Sequence, residues 1–299
     1  MEKTVAETIK EITRKHLEEN NGLLFGQAIT AAGWVNNTVP NCKNIIEFPM
    51  SDVSNMGIAC GAAISGRRPI IVIRFQDFMW LNSSTLVNYA AKSKDILGTP
   101  TPILVRALAQ ENAGCVHSGV LHSIFMHMPG LRVCSPMTPR EYKEAWADFM
   151  HHDDPMVVSE HRSSFKNKDE FMNTANPADV TLMPISASRF NIDGVIKELK
   201  VHGIRCNVAH IMWLKPLKTE HLVRALAKSK MGFVIDSGFE TCSAAQSIAY
   251  GLMLKTGKKV KALGLEDRSV GVSPSSHNPT PSPEKIAAFV RKSYKENKG

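Results

Sequence analysis

The sequence predicts an α/β protein with two domains, each built on a mainly parallel sheet flanked by helices. Short apolar runs alternate with amphipathic segments along the chain, as expected for parallel strands joined by helical crossovers. The length of 299 residues exceeds that of a typical single domain. A polar stretch at residues 161–178 interrupts the alternation. We interpret it as a linker between one domain at residues 1–160 and another at residues 179–299.

The predicted first domain begins with an amphipathic helix, in which Val5, Ile9, Ile12 and Leu17 lie on one face. Apolar runs then predict strands at Leu23–Phe25, Asn44–Phe48, Pro69–Phe75, Pro102–Arg106, Leu131–Cys134 and Pro155–Ser159. Helices between them are predicted at Asn55–Ser65, at Asn82–Lys94, shortly after His117, and at Pro139–Met150. Thr138 is the expected N-cap of the last of these, because a proline and an early glutamate follow it.

The predicted second domain repeats the same alternation. Its expected strands are Val180–Met183, Arg205–Ile211, Gly232–Ile235 and Val260–Leu263. Its expected helices are Ile192–Val201, Thr219–Lys228, Thr241–Lys255 and Pro283–Lys295. Between the last strand and the last helix, prolines and serines in Val270–Ser282 predict an ordered loop.

The net charge of +8 is concentrated in the second domain, whereas residues 1–179 are close to charge balance. A basic surface can meet nucleic acid, an anionic substrate or an acidic protein. The basic residues here are scattered, and no stripe of basic residues is interleaved with aromatics. The pattern therefore argues against nucleic-acid binding and favours an acidic protein surface.

The cysteines and the N-terminus indicate a cytoplasmic protein. The six cysteines form no Cys-x-x-Cys pair, so buried reduced thiols are expected rather than disulfides or a zinc site. The N-terminus lacks the apolar core of a signal peptide. No apolar run is long enough to span a membrane.

One stretch of the first domain resembles a known family. Residues 48–63 read FPMSDVSNMGIACGAA, in which a Pro-x-Ser-acid segment precedes a helix of small residues. This resembles the beta subunit of 2-oxoacid dehydrogenases, the pyruvate dehydrogenase type of decarboxylase component in the transketolase superfamily. The similarity continues through FQDF at residues 75–78, His117-Ser118, HMPGLRV at residues 127–133 and LKPL at residues 214–217. It covers nearly the whole chain and implies a pyrimidine-binding domain followed by a transketolase C-terminal domain.

The resemblance implies one half of a thiamine-diphosphate site, with the cofactor shared with an alpha-type subunit. In that family the diphosphate is held through Mg²⁺ by a Gly-Asp-Gly motif, and this sequence contains none. Magnesium would therefore be bound mainly by the partner, and we predict no metal ligand in this chain. The expected assembly is α2β2, including self-association of this chain, with a lipoyl-domain acyltransferase as a further partner.

By the same resemblance, Asp52 is the catalytic carboxylic acid that faces the pyrimidine ring of the cofactor. The family has glutamate at this position, so the carboxyl of Asp52 is retracted by about 1.5 Å, and a misplacement of about 1 Å can cost around a hundredfold in rate. The alternative is that Asp52 merely caps the helix expected to begin near Val53.

Three further residues are carried over as site candidates, each with a simpler alternative. Phe78 corresponds to the aromatic that packs on the aminopyrimidine ring, or else is a core residue. His117 corresponds to the catalytic histidine that positions substrate and transfers protons, although a lone histidine is often structural. Arg74, on the strand leading to Phe78, is predicted to lie near the cofactor and to pair with a substrate carboxylate or phosphate. It could equally form an interface salt bridge.

At two places the sequence departs from the family pattern, and several alternatives for the activity therefore remain. Gly26-Gln27-Ala28 stands where the family has an acidic residue after glycine. Together with Asp52, this favours a non-catalytic regulatory or structural paralogue, whereas Phe78 and His117 favour an enzyme subunit. For an enzyme, oxidative decarboxylation of a 2-oxoacid is the family default. A transketolase-like carboligase or a non-oxidative decarboxylase is the alternative.

Overall fold

The computed structural model describes residues 2–297, which form two compact units. The division falls between Glu170 and Phe171, within the stretch interpreted as a linker. That stretch is ordered in its first part: β6 ends at His161, a short 3₁₀ turn follows at Arg162–Ser164, and Phe165 is buried.

The first unit contains a parallel sheet, and each of its predicted strands is present with shifted ends. The strands are β1 Leu23–Gln27, β2 Ile45–Phe48, β3 Pro69–Arg74, β4 Leu104–Ala109, β5 Arg132–Cys134 and β6 Met156–His161. Within this unit they lie in the order β2-β1-β3-β4-β6-β5. Because the strands are parallel, their carboxyl ends meet at one edge, where a ligand site is expected.

The helices of the first unit are α1 Val5–Glu19, α2 Gly33–Asn37, α3 Asp52–Ile64, α4 Met79–Thr85, α5 Ala91–Leu97, α6 His122–His127 and α7 Pro139–His151. The helix predicted at Asn82–Lys94 consists of α4, a π turn at Leu86–Ala90 and α5. The expected N-cap of α7 is confirmed, since the Thr138 side chain accepts a hydrogen bond from the Glu141 N–H. α2 was not predicted.

α2 is a left-handed turn, because its residues have positive φ. Non-glycine residues avoid this region, where Cβ approaches the following carbonyl oxygen. Only Gly33 is a glycine here; Trp34, Val35, Asn36 and Asn37 are not. Val35 is fully buried within the turn, which indicates that tertiary packing stabilises it.

An ion pair lies inside the first unit, between neighbouring strands. Arg106 of β4 donates from Nε to Glu160 Oε1 at 2.7 Å and from Nη2 to Glu160 Oε2 at 2.9 Å. The hydroxyl of Tyr142 also donates to Glu160, and Arg106 Nη2 donates to the Thr38 hydroxyl. Both charged side chains are 1% exposed. Burial opposes the charge on Arg106, but Glu160 and Tyr142 hold its pKa above the usual value.

The second unit contains a smaller parallel sheet in the order β11-β10-β7-β8. The strands of this sheet are β7 Val180–Pro184, β8 Cys206–Val208, β10 Met231–Phe239 and β11 Val260–Leu265, and the unit also contains the short strand β9 Trp213–Lys215. Its helices are α8 Ile192–Val201, α9 Glu220–Ala227, α10 Ala244–Thr256 and α11 Pro283–Glu296. Parallel sheets with helical connections in both units confirm the α/β fold class. The short strand β9 was not predicted.

The cysteine prediction was partly wrong. All six cysteines are free, and Cys60 and Cys134 are buried as expected. Cys115 and Cys242, however, are exposed, because each lies in a loop. Within residues 2–297, no helix has the length and apolar character needed to cross a membrane.

A buried carboxylate organises one end of the second unit. Asp179 accepts hydrogen bonds from the Arg205 N–H at 3.0 Å, the Tyr294 hydroxyl at 2.8 Å and Lys230 Nζ at 3.0 Å. Burial alone would raise its pKa, but these donors outweigh burial and hold the pKa far below the usual value.

We expect the Asp179→Asn variant to lose about 1.5–3 kcal/mol of unfolding free energy at pH 7, the range for hydrogen bonds to a charged group. Since the folded-state pKa is depressed, this stabilisation is fully present above the unfolded-state pKa of about 3.9 and is lost progressively as pH falls from there towards the folded-state pKa. Urea unfolding from pH 7 to pH 3 should therefore show the difference from wild type shrinking. Asp193→Asn, on the exposed side of α8, is the control. A difference that stays constant with pH would contradict a role for the charge.

Candidate active site

A cavity of about 340 Å³ opens at the carboxyl ends of β1 and β3 in the first unit. The four site residues predicted from the sequence, Asp52, Arg74, Phe78 and His117, all line it. Its other walls are mainly apolar and backbone surface. The lining residues are Gly26, Gln27, Ala28, Phe48, Met50, Asp52, Asn55, Ile71, Val72, Ile73, Arg74, Phe75, Phe78, Leu81, Asn82 and His117.

Asp52 is the first residue of α3 and does not cap it. Ser51 occupies the N-cap position, and no side-chain capping bond is present, so the capping alternative is wrong. The half-buried carboxylate instead accepts a hydrogen bond at Oδ1 from Asn82 Nδ2 of α4, at 3.1 Å. The same amide donates to the carbonyl oxygen of Phe78 at 3.1 Å. Asn82 thus fixes the carboxylate relative to the aromatic residue.

The aromatic rings of Phe75 and Phe78 pack against the imidazole of His117. The ring of Phe78 meets the imidazole edge-on at a centroid distance of 5.5 Å, and the ring of Phe75 does so at 5.2 Å. Two rings packed on the half-buried His117 restrict the orientation of its imidazole.

Hydrogen bonds hold the loop of His117 against the segment that follows β3. The Ser118 hydroxyl accepts from the Ala113 N–H and donates to the Gly114 carbonyl, each at 2.9 Å. The Gly119 N–H donates to Asp77 Oδ2 at 2.9 Å. A Cβ atom at Gly119 would lie 2.8 Å from Asp77 Oδ1, so a larger residue there would displace the Asp77 carboxylate.

Arg74 lies at the carboxyl end of β3, half-buried at the cavity wall. Its Nη1 donates to the Ala28 carbonyl at 3.1 Å, and its Cζ lies 5.6 Å from the centroid of the Phe75 ring. Burial lowers the pKa of Arg74, and the positive charge of Arg162 lowers it further.

The cavity combines apolar walls with six polar side chains: Gln27, Asp52, Asn55, Arg74, Asn82 and His117. Asp52 is the carboxylate among the described lining residues, since Gln27 and Ala28 occupy the β1 end. Within residues 2–297, no group of three or more His, Cys, Asp or Glu side chains could hold a metal ion. The cavity has room for an aromatic ring beside the Asp52 carboxyl. Its described lining has no cluster of acidic side chains that could bind a metal ion and, through it, a diphosphate.

Large apolar side chains remain exposed around the cavity mouth and on the neighbouring helices. Met50 is 91% exposed and Trp80 is 57% exposed. Others on α3, α4 and α5 are Val53, Ile58, Leu81, Ile96 and Leu97. Exposed large apolar side chains in this number make these helices a candidate interaction surface.

Sequence reasoning missed Asn82 and Arg162. The hydrogen bond from Asn82 to Asp52 crosses thirty positions and has no local signal. Arg162 fell in the segment interpreted as a linker, yet its Cζ lies 5.8 Å from the centroid of the Phe75 ring. Its position three residues after the predicted strand Pro155–Ser159, near where ligand-binding groups of parallel sheets lie, was the available signal.

The first unit therefore has a parallel sheet with a carboxylate and aromatic rings around a cavity at its carboxyl edge. The family described as "Transketolase, pyrimidine binding domain" matches residues 4–168, more than half of the chain. The chain belongs to this family.

Similar proteins of curated identity are beta subunits. The acetoin:2,6-dichlorophenolindophenol oxidoreductase subunit beta of Cupriavidus necator is 28% identical, over 85% of this chain and 81% of the relative. The pyruvate dehydrogenase E1 component subunit beta of Acholeplasma laidlawii is 22% identical, over 97% of each chain.

Solved structures share the fold. A structure described as "Split gene transketolase, inactive beta4 tetramer" aligns with a TM-score of 0.79 over 99% of both chains, at 13% identity. The transketolase of Campylobacter jejuni aligns with a TM-score of 0.75 at 15% identity, covering 97% of this chain and 47% of that enzyme. This chain therefore has the fold of roughly half of a complete transketolase.

Proposed function

We propose that the chain is the beta-type subunit of a two-subunit thiamine-diphosphate enzyme that acts on a 2-oxoacid or ketol substrate. One observation carries the proposal: Asp52, Phe78 and His117 line a single cavity that suits the pyrimidine ring and lacks a cradle for the diphosphate. The names of two relatives support the same substrate class, since one is named for acetoin, a ketol, and the other for pyruvate, a 2-oxoacid.

In this proposal each site residue has a specific role. When bound, thiamine diphosphate supplies a carbon nucleophile for the substrate carbonyl. Asp52 holds a proton towards a ring nitrogen of the pyrimidine, and Asn82 fixes its Oδ1. Phe78 packs against the planar ring, and His117, held between Phe75 and Phe78, orients the substrate and moves a proton to or from its oxygen.

An alpha-type partner completes the site in this proposal. It supplies the Mg²⁺ ligands and covers the exposed apolar side chains around Met50 and Trp80. The assembly is α2β2, with this chain also self-associating. In an oxidative reaction, a lipoyl-domain acyltransferase accepts the acyl group.

A non-catalytic role is the second candidate, and the cavity provides the observation in its favour. Gln27 and Ala28 line the β1 end, and Asp52 carries a carboxyl one methylene shorter than that of the glutamate in the family. A regulatory or structural paralogue would keep the fold but not turn over substrate. A transketolase-like carboligase or a non-oxidative decarboxylase remains the alternative within the enzyme class.

Calorimetry tests the half-site directly. Thiamine diphosphate and Mg²⁺ are titrated into the chain alone and into its complex with an alpha-type partner chain. We expect heat of binding only for the complex, because the diphosphate contacts come from the partner. Phe78→Ala should weaken binding in the complex, whereas Asp193→Asn on α8 should not. Absence of binding to the folded complex would refute the cofactor assignment.

A further inference from the structure

Two polar residues lie between the two aromatic residues that contact His117. Phe75 and Phe78 each meet its imidazole edge-on, at centroid distances of 5.2 Å and 5.5 Å. Between them, Gln76 and Asp77 begin a 3₁₀ turn after β3, and both accept hydrogen bonds from the backbone of the loop that carries His117. Four consecutive residues therefore contact one loop, the outer two at its imidazole and the inner two at its main chain.

The side chain of Gln76 joins this loop to two strands of the sheet. It is 1% exposed. Its Nε2 donates to the Ala107 carbonyl of β4 at 3.0 Å and to the Ser159 hydroxyl of β6 at 2.7 Å. Its Oε1 accepts a hydrogen bond from the Leu121 N–H at 2.6 Å. Because β4 and β6 are paired neighbours, one buried amide fixes the end of the loop against the centre of the sheet.

The network of Gln76 extends to the first residue of α6. The Ser159 hydroxyl oxygen lies 3.3 Å from His122 Nδ1, and both of these side chains are fully buried. Leu121 and His122 are thus held from the same two side chains, Gln76 and Ser159. Buried polar groups that satisfy one another in this way rigidify the segments that they join.

Asp77 provides a second anchor closer to His117. Its Oδ2 accepts a hydrogen bond from the Gly119 N–H at 2.9 Å. His117 precedes Gly119 by two residues and Leu121 by four. The contacts described for its imidazole are with aromatic rings, so the position of the ring depends on where the backbone of the loop is held.

We propose that Gln76 and Asp77 are positioning residues, which hold the loop so that the imidazole of His117 faces the cavity. The inference rests on the proposed function, because it concerns the histidine that moves a proton there. Neither Gln76 nor Asp77 is among the described residues that line the cavity. Their effect on the reaction therefore acts through the loop.

Nuclear magnetic resonance of the imidazole tests this on the full chain without cofactor. Histidines are labelled with ¹³C and ¹⁵N, and the His117 signal is identified by its loss in His117→Gln. Aromatic rings displace the chemical shifts of nearby protons, so the wild-type signal should differ from that of the exposed His151. In Gln76→Met, which keeps roughly the size of the side chain but no N–H donor, the signal should move towards the His151 position.

Two further variants test the same contacts. Asp77→Ala removes the acceptor for the Gly119 N–H at a partly exposed position, where the fold tolerates the change, and it should displace the His117 signal in the same direction. Gln76→Glu keeps an oxygen for the Leu121 N–H, so its His117 signal should stay closer to that of wild type than the signal of Gln76→Met does.

Asn207→Leu is the matched control, because Asn207 is a buried bridging amide of the second unit. Its Nδ2 donates to the Asn176 carbonyl at 2.7 Å, and its Oδ1 accepts from the Asn176 N–H at 2.9 Å. The variant should lower the melting temperature and leave the His117 signal in place.

The proposal is overturned if the His117 signal keeps its wild-type position in both Gln76→Met and Asp77→Ala. It is equally overturned if Asn207→Leu moves the signal as far, or if the wild-type signal already coincides with that of His151. Because no cofactor is present, each of these results is distinct from failure of the thiamine-diphosphate titration.

Discussion

The Asp52→Asn variant is expected to turn over substrate about 10²- to 10⁴-fold more slowly than wild type, each assembled with the alpha-type partner. Asparagine keeps the size of the side chain and an oxygen for the Asn82 amide, which lies 3.1 Å from Oδ1. It has no carboxylic proton for the pyrimidine nitrogen, however. Steady-state kcat measures the loss, and calorimetry verifies that the cofactor still binds.

Two comparison variants separate chemistry from structure at this position. Asp52→Glu retains a carboxylic acid, so it should lose much less activity than Asp52→Asn. Asp193→Asn, exposed on α8, should behave as wild type. If Asp52→Asn kept near-wild-type kcat, Asp52 would not be the catalytic acid, and the non-catalytic interpretation of this chain would gain support.

The Glu160→Gln variant is expected to lose about 3–5 kcal/mol of unfolding free energy, the cost of removing one member of a buried ion pair. The guanidinium of Arg106 would then be buried without its counter-charge. Tyr142 and Thr38 would still offer hydrogen bonds, but no negative charge. Urea unfolding followed by circular dichroism measures the change.

A double variant identifies the cause of that destabilisation. Arg106→Met combined with Glu160→Met removes both charges and fills the space with apolar atoms, so it should be more stable than Glu160→Gln alone. A double variant less stable than the single one would show that packing, and not the unpaired charge, dominates at this position.

Local patterns were sufficient to predict most elements of the fold. α8 was predicted with its observed ends, because a regular apolar stripe defines it. β9 was missed because three residues before a proline carry too little pattern. The left-handed turn of α2 was missed because residues such as Trp34 and Val35 take its positive φ only under tertiary packing.

Sequence motifs predicted four residues of the site but not the contacts between them. Asp52, Arg74, Phe78 and His117 were chosen from separate motifs, and the fold brings them to one cavity. Their roles stay predictions. The residues that act on them were missed for a physical reason: the contacts of Asn82 and Arg162 join distant segments, and a sequence pattern does not record which strands become neighbours.

The apolar side chains exposed at Met50 and on α3, α4 and α5 link the solubility of this chain to the stoichiometry of its synthesis. A chain made in excess over its partner would present Met50, Trp80 and Ile96 to water, where such surfaces self-associate or bind chaperones. The fraction of this chain that stays folded then depends on how much of it is bound to the partner, because association stabilises the native state by mass action. Balanced translation of the two chains would keep the pool of orphan subunits small and limit their proteolysis.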